Sequence, residues 1–600
     1  MNDAAREQQQ RRSRHWEWAA VAAVVAGAAA LRLIDLGAVR LDPFYDAAVR
    51  SMGTSWKNFF FGAWEPGGSA SIDKPPLDLW LQVASVKVFG FGSTSLKLPE
   101  ALGAVAAVGL MYSAVRRVWG FAAGIGAALA LTVMPVEVIT ARSDTMDAVM
   151  MALLVGALLL LIKACESGRT SWLLAGAAVL GIAFNVKLLE TVVALPGLAL
   201  IALLGFQRAV PSHGAGPASH AATPGSRESG GPSPEAVTPS REAAPSWLRD
   251  RAVPLAGAAV VYIAVALLWL SATLLFPAHD RPYAIGSTNG SAWNAAFVFN
   301  GLDRIEGKAV EGTTLLYKRG RRFVSASAQE GERAQIPPPS PTRLLKGGGP
   351  LPIQRLGLEL LVALGLGLPA LALGFKGAGR TQKAVSLGLV VWLLTGTLLF
   401  SAMTRLHPRY VEGFTPAVAA LVGIGVAWAA GALTKRRTKY VRAVVFGAML
   451  ALVLAIPLAA SVKAVKDHVS DAGNVGALPA AELGKLSTYL RANRVGAKYE
   501  VAVDSATKAS SLIVRDALPV VVLTSYQGQT LTSVAKLRPL IARGEVRYAL
   551  LNSSCGKRTP RTDAACSEPA LWVRAHGRDV SRQAGLTRPG VLWRLPEAIG

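Results

Sequence analysis

The chain has 600 residues, 52% of them apolar and 17% charged, and several of its apolar windows reach the roughly 18 or more residues needed to cross a bilayer. This excludes a soluble globular protein and describes a polytopic membrane protein. The net charge of +25 does not call for nucleic acid, because most Lys and Arg residues sit in short loops between apolar runs, where they set membrane orientation.

The apolar runs predict about eleven spans, near 17–34, 97–115, 121–139, 146–163, 171–186, 190–206, 252–276, 356–374, 384–402, 411–431 and 441–460. The first reads as a helix and not as a cleaved signal peptide, being long and without a clear small-residue cleavage site. With "REQQQRRSRHWEW" on the cytoplasmic side, the segments "RRVWG", "KACESGR", the 207–250 linker, "KGAGRTQK" and "TKRRTKYVR" also fall inside. All are rich in Lys and Arg, as the positive-inside rule asks. Everything after about 461 then lies outside.

The first outside loop, 35–96, is long and carries "LDPFYDAAVRSM" and then "SIDKPPLDLWLQ". It sets Asp42, Tyr45, Asp46, Asp73 and Lys74 just above the bilayer. The Pro75–Pro76 pair ends one element and starts the next. After it, Leu77, Trp80, Leu81, Ala84 and Val88 recur at helical spacing, opposite Asp78, Gln82 and Ser85. A helix of about 13 residues is too short to span and is expected to lie in the interface, with Lys74 at the level of lipid phosphates. Taken alone, Asp73 and Lys74 are equally well an exposed pair of little energetic worth.

The second outside turn, "TARSDTMDAVMM", offers Arg142, Asp144 and Asp147; on a helix the two acids share a face, and capping accounts for one of them. The third, "FNVKLLE", offers Lys187 and Glu190. Residues 207–250 are dense in Pro, Gly, Ser and Ala and read as a disordered linker, with His213 and His220 as solvated passengers. The long outside loop 277–350 opens on "HDRPYAIGSTNGSAWNAAFVFNGLDRI", a folded or binding segment, and from about 307 reads as flexible. The fourth turn, "MTRLHPRYVEGF", brings Arg405, His407, Arg409 and Tyr410.

The tail, 461–600, alternates β-branched runs ("YEVAVDS", "LPVVVLTS", "VRYALLNSS") with helix-like stretches, predicting an extracytoplasmic α/β domain for positioning or binding. Cys555 and Cys566 lie in this tail, where an oxidising compartment permits a disulfide. No spacing reads as a metal site, no phosphate loop is present, and no internal repeat is evident. Four outside turns thus bring ionisable groups to one membrane face, where such groups are costly and usually functional.

With these residues in view, the chain resembles the membrane glycosyltransferases of family 39, whose C-type fold includes protein O-mannosyltransferases and the aminoarabinose transferase of lipid A. Within them it is similar to a bacterial mannosyltransferase subgroup with an extracytoplasmic C-terminal domain. The likeness rests on "YDAAVRSM", "SWKNFFFGAWEPGGSASIDKPPLDLWLQ", the turn holding Asp147, "GIAFNVKLLE", "RPYAIGSTNGS", "FNGLDRI" and "HPRYVEGFTPAVAALVGIG". It leaves out the 207–250 linker and the 307–350 segment. The resemblance implies a C-type transmembrane domain over 1–460 in a bacterial cytoplasmic membrane, a polyprenyl-phosphate-linked sugar as donor, and inverting transfer at the outer face to a protein, glycan or lipid acceptor. It makes Asp42 the general base, with Asp46 as rival and Asp147 orienting the site. Lys74 becomes the phosphate contact, supported by Arg142, Lys187, Arg405 and His407, with Asp73, Asp144, Tyr45 and Tyr410 close by. No firm cofactor is implied, and a divalent metal is neither indicated nor excluded. A flippase for an anionic polyprenyl lipid would also want cations at this face, but it predicts midplane charges and repeat symmetry that the sequence lacks. A membrane-anchored binding protein would not need so many spans.

Overall fold

Long apolar runs fold as helices in a membrane because a helix satisfies its own backbone N–H and C=O groups. The computed structural model describes residues 3–208, 248–303, 316–319, 322–325, 339–345, 353–403, 406–473, 475–505, 508–525, 529–551, 555 and 564–597. Among them, eight helices are long and apolar enough to cross a membrane: His15–Ala38, Ser93–Val133, Asp147–Ser167, Asp250–Thr273, Leu356–Gly374, Arg380–Ala402, Thr415–Leu433 and Lys439–Lys466. Thr170–Val186 and Glu190–Gly205 are shorter apolar helices between them.

The helix Ser93–Val133 is bent back on itself. At Gly120 the backbone turns to φ 84°, ψ −178°, and Gly124 then lies against Arg116 and Tyr112, so the runs expected near 97–115 and 121–139 are its two legs. The second leg stops at Val133 because Met134 precedes a proline and leaves the helical region. The short helix Pro135–Thr140 follows. Small residues let the helices touch: Gly126 faces Gly423 and Gly197 faces Gly388, so that a Cβ on Gly423 would collide with the backbone of Ala123 and Ala127.

The first long loop, 35–96, holds helix α1 (Pro43–Met52), helix α2 (Trp56–Phe61), strand β1 (Ala70–Ser71) and helix α3 (Leu77–Phe89). β1 pairs in parallel with β2 (Tyr283–Ala284) from the second long loop. α3 has the expected length, but its faces serve differently from a surface helix: Asp78 and Gln82 are buried, while Leu81, Val88 and Phe89 are exposed. The polar face turns inward to the protein and the apolar one outward, the arrangement a lipid surrounding favours. Beyond 307, where the sequence reads as flexible, Leu316–Arg319 (β3) and Arg322–Ser325 (β4) form an antiparallel pair, in keeping with the β-formers Tyr317, Phe323 and Val324. Most of the 207–250 linker and of 307–350 lies outside the described residues.

The tail forms a five-stranded sheet in the order β6-β5-β7-β9-β8. β5 (Ala502–Val503) runs parallel to β6 (Val521–Val522) and β7 (Tyr548–Leu550), while β9 (Leu592–Arg594) is antiparallel to β7 and to β8 (Arg578–Asp579). Cys555 and Cys566 are bridged. The tail helix Ser510–Asp516 packs on α1, and Leu512 and Ile513 share one apolar core with Phe44 and Tyr45. The tail therefore braces the loop that carries the candidate base.

Candidate active site

Asp42 precedes Pro43 at the start of α1, where an aspartate accepts from free amides and a proline is pre-set for the first turn. Its Oδ1 accepts from Phe44 N at 3.0 Å and its Oδ2 from Gly473 N at 2.8 Å. Its own N–H donates to Asp144 Oδ2 at 2.9 Å. A side chain at 473 would have its Cβ 2.9 Å from Asp42 Oδ2, so glycine is what lets the tail backbone approach. The carboxylate is 4% exposed, fixed by two amides from segments more than 400 residues apart in sequence.

One turn further, the Asp46 carboxyl meets that of Asp144. Burial, and then the charge of Asp144, push Asp46 well above the usual carboxylate range. Burial and the charge of Asp42 push Asp144 up to about 6. Two buried carboxyls in contact cannot both ionise cheaply, so they share a proton.

Asp144 and Asp147 do not share a helix face. Met146 adopts φ 44°, and the helix begins only at Asp147. The break sends Asp144 to Asp42 and Asp46 and lets Asp147 pair with Lys187. Glu100 fixes this helix start by accepting from Ala148 N (2.9 Å) and Val149 N (3.1 Å), as an acid at a helix N-terminus does.

The cations come from three turns. Lys74 Nζ donates to the Tyr45 hydroxyl at 2.8 Å and lies 3.1 Å from Asp73 Oδ1; Asn300 Nδ2 holds the Asp73 carbonyl at 2.6 Å. Lys187, at the junction of two helices, pairs with Asp147 and lies 3.2 Å from Glu190 Oε1, above the Tyr410 ring. Arg409 Nη1 binds Asp471 Oδ2 at 2.8 Å, and the Asp471 N–H donates to Ser143 Oγ at 2.9 Å. Burial and then the Asp73 charge raise the Tyr45 pKa, while the Arg409 and Lys187 charges pull it down.

Other sequence candidates fall elsewhere. Arg142 donates to the carbonyls of Leu31, Arg32, Ile34 and Asp35, closing the end of the first helix, and is spent as a structural clasp. His407 meets the Tyr410 ring edge-on at 5.1 Å. Arg405 lies outside the described residues. Sequence reasoning missed Asp471 and Gly473, for which "SDAGN" gives no signal. It also missed Glu100, where a lone acid in an apolar run was a usable one. Among the described residues no group of three His, Cys, Asp or Glu side chains is placed to hold a metal.

Residues 73–215 match the family described as dolichyl-phosphate-mannose-protein mannosyltransferase, and 486–576 match the C-terminal domain of YkcB-like mannosyltransferases. The chain is 31% identical over 268 residues to "Putative mannosyltransferase YkcB" of Bacillus subtilis, covering 45% of this chain and 32% of that protein. It is 23% identical over 667 aligned positions to "Putative mannosyltransferase YycA" of the same organism, covering 90% of each. Among solved structures it is similar to ArnT from Cupriavidus metallidurans bound to undecaprenyl phosphate (TM-score 0.53, 15% identity, 96% of this chain and 97% of that one). The Archaeoglobus fulgidus oligosaccharyltransferase in its apo form is another such structure (TM-score 0.55, 13% identity, 94% and 73%).

A helical membrane domain of this kind, with its polar residues gathered on one rim, is the C-type glycosyltransferase fold. Within that class, parts of the chain match mannosyltransferase family models, and the chain is similar to the YkcB and YycA proteins.

Proposed function

We propose that this protein transfers a sugar from a polyprenyl-phosphate carrier to an acceptor hydroxyl, with inversion, at the outer face of a bacterial cytoplasmic membrane. The N-terminus then lies inside and the 461–600 domain outside. The observation that carries the reading is the Asp42 carboxylate, held by the amides of Phe44 and Gly473 on the helix whose Tyr45 hydroxyl binds Lys74. Asp42 takes the acceptor proton as the acceptor oxygen bonds to the anomeric carbon. The bond from that carbon to the carrier phosphate oxygen breaks, and the phosphate leaves with the electron pair. Lys74 meets the leaving phosphate, with Lys187 and Arg409 supplying further positive charge. Asp46, whose proton is held against Asp144, is less available to accept another. Undecaprenyl phosphate is the ligand bound by the similar ArnT structure, which favours a carrier of that chemistry here.

The test is to incubate purified protein with a panel of polyprenyl-phosphate sugars and follow sugar transfer to membrane extract or release to water. Turnover with one donor supports the transferase. Binding of carriers with neither transfer nor release, together with carrier movement between leaflets in vesicles, would support a flippase instead.

A further inference from the structure

The seam between the second long loop and the tail holds a cavity of about 260 Å³ that the donor chemistry does not use. Its polar side is built from Ser69, Arg281, Asn289, Ser291 and Thr532, while Tyr283, Gly290 and the apolar Ala278, Val522 and Leu531 supply the rest. Such a mixture of hydroxyls, an amide, an aromatic ring and one charge suits a hydroxyl-rich ligand. The Tyr283 ring is fixed: its hydroxyl bonds to Ser287 O at 2.9 Å and to Gln529 of the tail. Gly290, at φ 79°, leaves room beside it, since a Cβ there would stand 3.0 Å from the ring.

Arg281 gives the cavity its sign. Its guanidinium has no hydrogen-bond or ion-pair partner among the described residues, and the neighbouring Asp280 carboxylate lies 3.5 Å from His279 Nε2. An arginine left free in a polar cleft is a fork for a carboxylate or a phosphate. The cavity is also joined to the reacting centre. β1 pairs with β2, so Tyr283 lies opposite Ala70, and Ser69 in the wall is five residues before Lys74.

Resting on the transferase reading, we propose that this seam is an acceptor subsite for an anionic glycan, with Arg281 binding its acidic group and the hydroxyl-lined wall its sugar face. A ligand held there bridges the loop and the tail. This gives the tail domain a part in acceptor choice.

The test titrates the full chain in lipid nanodiscs with trigalacturonate, with a glycerol phosphate trimer and with neutral mannotriose, read by saturation-transfer NMR. We expect at least one anionic probe to bind more tightly than mannotriose, and Arg281→Ala to weaken it about tenfold, as loss of a charge-assisted pair does. Preference for trigalacturonate assigns a carboxylate and preference for the trimer a phosphate. Equal binding of mannotriose, unchanged affinity in Arg281→Ala, or no binding of any probe would overturn the subsite. Thermal unfolding of each variant reports folding, and a parallel titration with undecaprenyl phosphate keeps the two readings apart. If that carrier fails to bind while Arg281-dependent glycan binding persists, the carrier reading falls and the glycan site remains.

Discussion

The helix bundle and the polar rim are held together by different means. In the bundle, Gly126 meets Gly423 and Gly197 meets Gly388, so contact depends on the absence of side chains. At the rim, Asp42, Lys74, Lys187 and Arg409 each find a partner from a distant segment, through hydrogen bonds and ion pairs. Lipid tails are as apolar as the helices, which leaves close packing to drive association in the bundle. Buried ionisable groups survive at the rim only because each is answered. The bundle tolerates change wherever it faces lipid; the rim tolerates little anywhere.

The sharpest way to break this contrast is Gly423→Leu, which inserts a branched side chain where backbone already touches. Overpacking of this kind costs about 3 kcal/mol or more, and no monodisperse protein is expected from size-exclusion chromatography. Gly431→Leu is the control, because nothing lies within 4 Å of a Cβ there, and its elution should match the wild type. At the rim, Lys187→Met leaves Asp147 and Glu190 buried without their cation. A loss of about 3–5 kcal/mol is expected, measured as a lower thermal midpoint, and Lys187→Met with Asp147→Asn should recover part of it.

A subtler effect separates Asp46 from Asp42. The folded protein binds the proton shared by Asp46 and Asp144 more tightly than the unfolded chain does, since burial raises Asp144 from 3.8 to about 6 and raises Asp46 as well. Their contribution to stability is therefore complete below about 3.8 and is lost as pH rises through about 6 and beyond. Asp46→Asn keeps a hydrogen-bond donor and removes one charge. It should shrink the fall in stability between about pH 3.8 and 6 by about 1 kcal/mol, close to one pKa unit, as read by thermal unfolding. An unchanged slope would mean that the two carboxyls do not share a proton.

Much of the membrane domain was legible, because apolar runs and Lys/Arg-rich loops have a physical signature that survives without neighbours. The reversal at Gly120 could be placed from the "RRVWG" break between two runs, and α3 from its apolar spacing. The orientation of α3 was not legible, since the same period describes a helix facing water with Asp78 or burying it. The separation of Asp144 from Asp147 depends on the backbone at Met146, a residue type with no preference for positive φ. Asp42 was legible through the resemblance to family 39, but its second amide comes from Gly473, and nothing local to either residue announces that contact. The rim candidates Lys74 and Lys187 were found because charge is conspicuous beside apolar helices. The same reasoning drew in Arg142, whose task is to close a helix end.

The central claim is that Asp42 is the base and Asp46 is not. The most direct measurement is turnover of a polyprenyl-phosphate sugar by Asp42→Asn and Asp46→Asn beside the wild type, with carrier affinity titrated in the same samples. The account predicts that Asp42→Asn loses about 10²–10⁴ in turnover, the contribution of a positioned general base, while still binding carrier, and that Asp46→Asn keeps most of its rate. Equal turnover in Asp42→Asn and the wild type, or a larger loss in Asp46→Asn, would contradict it.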